Sequence, residues 1–168
     1  RFVELLHREM AFAKKGKKAR AIIKINNVVD EICAEQILKA ASEGVKIDMI
    51  VRGICILPVK ANHPNIRIIS IVDKFLEHAR VFYFENGGKP EVFIGSADLM
   101  QRNIQYRVEV ITPILEKKLK KKLKSLLECQ LKENVKARIL EKDMKNSYVV
   151  PKNNSDRLRS QEEFFHLV

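Results

Sequence analysis

Four histidines are candidates for proton or phosphoryl chemistry: His7, His63, His78 and His166. His7 stands among charged residues at helical spacing and reads as surface packing. His63 sits in a proline-containing stretch and His166 near the last residue, neither with a partner pattern. His78 differs. It opens His78-Ala79-Arg80-Val81-Phe82-Tyr83-Phe84, whose apolar and aromatic residues predict a strand. Residues two apart on a strand point the same way, so a strand starting at His78 puts its imidazole and the Arg80 guanidinium on one face. That pairing suits phosphoryl transfer: the ring can attack phosphorus or carry a proton, while the guanidinium holds non-bridging oxygens. Downstream, Gly95-Ser96-Ala97-Asp98 reads as a small-residue turn at a strand end, able to offer N–H groups and a hydroxyl to an anion. Taken alone, His78 also fits a structural strand-edge histidine, and Ser96 a hydroxyl satisfying its own turn. The sequence has no GxxxxGK[ST] loop, HExxH or GxSxG.

The elements that must hold these residues read as an alternation of helix and strand. Phe2 to Lys15 has helical spacing and stops at Gly16; Ala19 to Ile25 reads as a buried strand. Glu31 to Ala41 is a second helix, with Asp30 the candidate N-cap and Gly44 closing it, and Val45 to Val51 a second strand. That β-α-β order implies a parallel pair. Leu57 to Asn65 reads as a surface loop and Ile66 to Val72 as a third strand. Arg80–Phe84 and Glu91–Ile94 form a hairpin, and Arg107–Ile111 is a sixth strand. From Leu115 to Leu140 apolar residues recur every four positions, which predicts one long amphipathic helix or two in line. The expected fold class is α/β, a mixed but mostly parallel sheet flanked by helices, with that long C-terminal helix. Residues 1–148 form the domain; 149–168, including Pro151, Asn153, Asn154 and Ser155, form a tail expected to dock on the domain or on a partner.

The 168 residues suit one compact domain, and the start at Arg1, without an initiator Met, suggests a piece of a longer protein. No apolar run is long enough to span a bilayer. Cys33, Cys55 and Cys129 are far apart and odd in number, which argues against a disulfide framework or a zinc site and for reduced thiols. The net charge of +11 calls for a polyanionic partner, without choosing among nucleic acid, acidic lipid and a phosphate polymer. The Pro113–Lys145 stretch holds more than half of that excess.

With Gly-Ser on the following strand, His78-x-Arg80 resembles the second half of the phospholipase D superfamily signature, HxK followed by GS. Arg stands here in place of Lys, and Glu85 where Asp is expected. The strings Val45–Cys55, Ile69–Val72, Phe75–Arg80, Phe84–Gly88 and Gly95–Asn103, with Lys24-Ile25-Asn26-Asn27-Val28-Val29-Asp30, are similar to the last domain of bacterial polyphosphate kinases. The resemblance runs from the first helix to Ile114, and more loosely beyond. It implies a phospholipase D-like fold and reversible transfer of the terminal phosphate of ATP to inorganic polyphosphate. The phosphohistidine intermediate would belong to the neighbouring domain, so this chain would hold half a site. His78 matches a second active-site histidine with an acid/base or electrostatic role. Arg52 matches an arginine used on nucleotide phosphates, and Arg80 is expected to join it. Lys24, Asn26, Ser96 and Arg102 are second-rank candidates. The implied ligands are ATP or ADP and polyphosphate, with Mg²⁺ held in the full-length enzyme and no metal ligand expected from this chain. The implied partners are the N-terminal and first phospholipase D-like domains of the same protein, in a cytoplasmic homo-oligomer that could sit peripherally at the inner membrane.

Two other classes fit parts of the pattern. A phospholipase D-like phosphodiesterase or nuclease needs two copies of the motif, and this chain carries one. A non-catalytic polyanion-binding module needs only the charge; with 7% aromatics and no Trp there is no stacking platform for a nucleic acid.

Overall fold

The computed structural model describes residues 1–60, 63–143, 145–151, 153 and 156–167, with the side chains of 59 and 60 excepted; the tail positions Asn154 and Ser155 lie outside them. Three strands rich in β-branched residues form its centre: β1 (Arg20–Ile25), β2 (Lys46–Val51) and β3 (Ile66–Ile71). They pair in parallel, Ala21 opposite Ile47 and Ile47 opposite Ile66. Helix α1 (Phe2–Lys14) precedes β1, α2 (Glu31–Ser42) makes the right-sized crossover to β2, and a four-residue helix, α3 (Leu57–Lys60), precedes β3. Strands β4 (Arg80–Phe84), β5 (Glu91–Gly95) and β6 (Ile111–Ile114) continue the sheet beyond β1 as an antiparallel meander. On the other edge β7 (Ala137–Ile139) pairs antiparallel with β3, giving the order β6-β5-β4-β1-β2-β3-β7.

Each face of this sheet has its own core. On one, Leu5, Leu6 and Met10 of α1 and Ala34, Ile37, Ala40 and Ala41 of α2 pack on Ile23, Met49, Val51, Phe82 and Phe84. On the other, Leu127 and Leu131 of α4 (Lys117–Leu131) cover Ile22, Ile50, Tyr83 and Val92. Each fully buried Leu or Ile adds about 2 kcal/mol. Helix α5 (Ser160–Leu167) packs against α4. Asp30 caps α2 by accepting from the Cys33 N–H at 2.8 Å. Glu9 is fully buried in α1 and accepts from the backbone N–H groups of Asn86 at 2.7 Å and Arg20 at 3.1 Å, tying the helix to the sheet's lower rim. Burial pushes its carboxyl above the usual range, against those two hydrogen bonds.

The α/β class holds, with four corrections in detail. Parallel pairing is confined to the three central strands, and four of the six strand pairings are antiparallel, because the chain reverses at each connection from β3 to β6 and β7 runs against β3. Strand β6 runs over Ile111–Ile114, not 107–111. Val108 and Val110 alternate correctly but are exposed, and Pro113 sits at the sheet's edge, where its missing N–H costs no ladder bond. The Leu57–Asn65 loop contains α3, whose Leu57 is buried. The long helix expected through Leu140 stops at Leu131. There the buried Glu133 carboxylate accepts from the N–H groups of Val135 at 2.9 Å and Lys136 at 3.0 Å, which a continuing helix would need, and the chain turns into β7.

Candidate functional site

Strand directions bring the predicted residues to one rim. β1 and β2 run parallel, so Lys24, Asn26 and Arg52 lie at their common C-terminal end. β4 runs against β1, with Val81 opposite Lys24, which puts its first residues at the same rim. β5 runs against β4, with Gly95 opposite Arg80, so the chain leaves through Ser96–Asp98 beside it. Gly53 lets the turn after β2 close on β1: its N–H donates to the Asn26 carbonyl at 2.7 Å, and a Cβ there would stand 2.5 Å from Oδ1 of Asn27.

His78 lies in the loop before β4, one residue short of the strand, and is exposed. Its Nδ1 side is held. Arg52 donates from Nη1 to the Glu77 carbonyl at 2.6 Å and brings Nη2 to 3.5 Å from Nδ1 of His78. The Asn26 amide, oriented by its neighbours, turns its oxygen to Arg80, accepting from Nε at 2.9 Å and Nη2 at 3.0 Å. That same oxygen position is 3.4 Å from Nδ1 of His78. Nδ1 thus faces both the Arg52 and the Asn26 side chains, and Nε2 makes no hydrogen bond among the described residues.

The cations divide into two kinds. Arg80 forms a forked contact with buried Asp98, at 3.2 and 3.3 Å, and donates from Nη1 to the His78 carbonyl at 3.0 Å. Asp98 also accepts from the Asn26 N–H at 3.0 Å and from Asn27 Nδ2 at 3.1 Å. Burial alone would raise the Asp98 carboxyl; the hydrogen bonds from Arg80, Asn27 and Asn26 outweigh it and hold the group below the usual range. Lys24 is likewise consumed, its Nζ 2.6 Å from Oε2 of Glu77. Arg52, in contrast, has no carboxylate partner among the described residues, so its charge is the one left for an incoming anion. Ser96 and Arg102 stand apart. The Ser96 hydroxyl donates to Glu109 and accepts from the Val110 N–H at 3.2 Å, and Arg102 lies exposed in a five-residue π turn with no contact to His78 or Arg52. No group of three His, Cys, Asp or Glu side chains among the described residues could hold a metal ion, and both carboxylates at the rim are occupied by the chain's own cations.

Residues 1–161 match the family described as Polyphosphate kinase C-terminal domain 2. The chain belongs to that polyphosphate kinase family. Among its relatives, the polyphosphate kinase of Vibrio parahaemolyticus is 46% identical over 159 residues, 94% of this chain and 23% of its own length. Polyphosphate kinase 1 of Chlorobaculum tepidum is 40% identical over 166 residues, 98% of this chain and 24% of its own length. The crystal structure of polyphosphate kinase from Porphyromonas gingivalis superposes with a TM-score of 0.93 at 38% identity, covering 98% of this chain and 26% of that one. Nuc from Salmonella typhimurium, a phospholipase D family member, shares the fold, with a TM-score of 0.56 over 79% of this chain at 10% identity. The chain thus spans about a quarter of the length of the polyphosphate kinases it matches.

Within this polyphosphate kinase domain the structure gathers His78, Arg52, Asn26 and Arg80 and sets Lys24 beneath them. Glu77 and Asp98, which organise the cluster, were not among the sequence candidates. Their signal was available in hindsight only as acids flanking the basic motif: Glu77 immediately before His78, and Asp98 two residues after Ser96.

Proposed function

We propose that this domain supplies one half of the phosphoryl-transfer site of a polyphosphate kinase, which moves the terminal phosphate of ATP reversibly onto inorganic polyphosphate. The observation that carries the proposal is an exposed imidazole, its Nε2 without a hydrogen bond among the described residues, beside a guanidinium that has no carboxylate partner among them. A histidine of the adjoining domain attacks the phosphorus and becomes phosphorylated. His78 faces it across the transferred group, taking up or delivering a proton at the departing or entering oxygen through Nε2. Arg52 neutralises charge that spreads onto the equatorial oxygens. Arg80 and Asn26 act from behind, orienting the ring rather than gripping phosphate. Mg²⁺ would enter with the nucleotide and the remaining domains. ATP as the substrate would fit a cytoplasmic enzyme; separately, no helix among the described residues is long and apolar enough to cross a membrane.

Replacing His78 with Ala in the full-length enzyme is expected to lower kcat by on the order of 10²–10⁴, and Arg52→Ala to lower kcat and raise the KM for ATP. Steady-state synthesis of polyphosphate from ATP reads both. Unchanged turnover in the His78→Ala enzyme would end the proposal. The isolated domain is expected to leave bis-(nitrophenyl) phosphate intact; release of nitrophenol would favour a phosphodiesterase instead.

A further inference from the structure

The loop between β3 and β4 carries His78 but makes little apolar contact: Phe75 and Leu76 are 59% and 80% exposed. Hydrophobic burial therefore does not hold it. One carboxylate does. Oε2 of Glu77 accepts from Lys24 of β1 at 2.6 Å and from Nε2 of Gln130 of α4 at 2.6 Å. Its Oε1 accepts from Nε2 of Gln161 of α5 at 2.9 Å, and its own carbonyl accepts from Arg52. Burial pushes the Glu77 carboxyl upward, but Lys24, Gln161 and Gln130 together outweigh it, so the group is held ionised below the usual range.

Gln161 does more than complete this shell. It clasps the loop backbone, accepting from the Phe75 N–H and donating to the Phe75 carbonyl, each at 2.9 Å. Beside it Arg159 pairs with Asp73, Nε to Oδ2 at 2.7 Å, and Lys74 reaches Glu162 at 2.7 Å. The C-terminal helix is thus fastened to the histidine loop at three successive points, two of them in mainly buried or half-buried surroundings.

We infer that Glu77 is a positioning residue for the transfer site and that Gln161, from the C-terminal helix, sets its placement, so that α5 governs the alignment of His78 and Arg52. The mechanism is geometric. A shift of Glu77 moves the carbonyl that anchors Arg52 and the backbone of the next residue, His78, together. Displacement of a reacting group by about 1 Å costs as much as 10²-fold in rate. Gln130, fully enclosed, and Lys24 keep the carboxylate in one orientation, and buried Gln161 of α5 supplies the remaining donor.

This inference rests on the roles proposed for His78 and Arg52, and the experiment separates the two. In the full-length enzyme, kcat and KM for ATP are measured for Glu77→Gln, Gln161→Ala, their double variant and His78→Ala, well below each variant's unfolding temperature. Glu77→Gln is expected to lower kcat by on the order of 10- to 100-fold and Gln161→Ala by a smaller factor. The double variant should be no slower than Glu77→Gln, because both changes act through one carboxylate. The side-chain ¹⁵N resonances of His78 should shift in both single variants, a change that a remote loss of stability does not produce. Wild-type kcat and unshifted His78 resonances in Gln161→Ala, with His78→Ala inactive, would overturn the inference while leaving the transfer role standing. A fully active His78→Ala enzyme would remove both. Gln161→Ala removes a neutral side chain, itself 5% exposed, and leaves the Glu77–Lys24 ion pair in place, so the test stands even where Glu77→Gln does not fold.

Discussion

Two arginines at the same rim do opposite work, and their surroundings show which is which. Arg52 rests on a single carbonyl and keeps its charge; Arg80 is enclosed, its side chain 12% exposed and forked onto an Asp98 side chain that is 5% exposed. Removing Arg80 leaves a buried carboxylate without its counter-ion, a loss of about 3–5 kcal/mol, whereas removing a cation that lacks an ion pair changes stability by about 0.5 kcal/mol or less. Urea titration of Arg80→Ala and Arg52→Ala should therefore rank them in that order, while the effect on ATP use ranks them in reverse. The sequence placed both arginines next to His78 but could not divide their labour. The partner that claims Arg80 lies 18 residues away in the turn that leaves β5, and the antiparallel β4–β5 pairing brings it close.

At the scale of elements, Glu133 illustrates how one buried side chain overrides a periodic pattern. Leu115, Leu119, Leu123, Leu127 and Leu131 continue in register through Val135 and Ile139, and nothing in that repeat marks an end. The end comes from a carboxylate that binds three N–H groups, those of Val135, Lys136 and Ser160, joining the exit of α4 to the entry of α5. Glu133→Ala strands those donors at about 1–3 kcal/mol for each buried one. Hydrogen exchange is expected to show lost protection in β7 and α5 with β1 and β2 unchanged. The parallel core, by contrast, was legible: β-branched runs separated by a capped helix leave one arrangement, and β1, α2 and β2 fall within a residue of the expected bounds. The histidine loop was illegible because its order comes from Lys24, Gln130 and Gln161, none of them a neighbour in the chain.

For the molecule as a whole, the depressed carboxyls of Asp98 and Glu77 set its response to acid. Both titrate below the ordinary value of about 4, so on acidification the unfolded chain takes up their protons first. Their contribution to stability is complete above that range and drains away as the pH falls through the folded values. Asp98→Asn should lower the urea midpoint at pH 7 and flatten its decline toward acid; an acid slope equal to wild type would contradict this. The fastening of α5 to the histidine loop has a further consequence for biosynthesis. Gln161 meets Glu77 across 84 residues of chain, so a polypeptide emerging from the ribosome can pair β1 to β6 well before the loop acquires its last donor. A chain cut before α5 would lack that donor together with the two hydrogen bonds that Gln161 makes to Phe75.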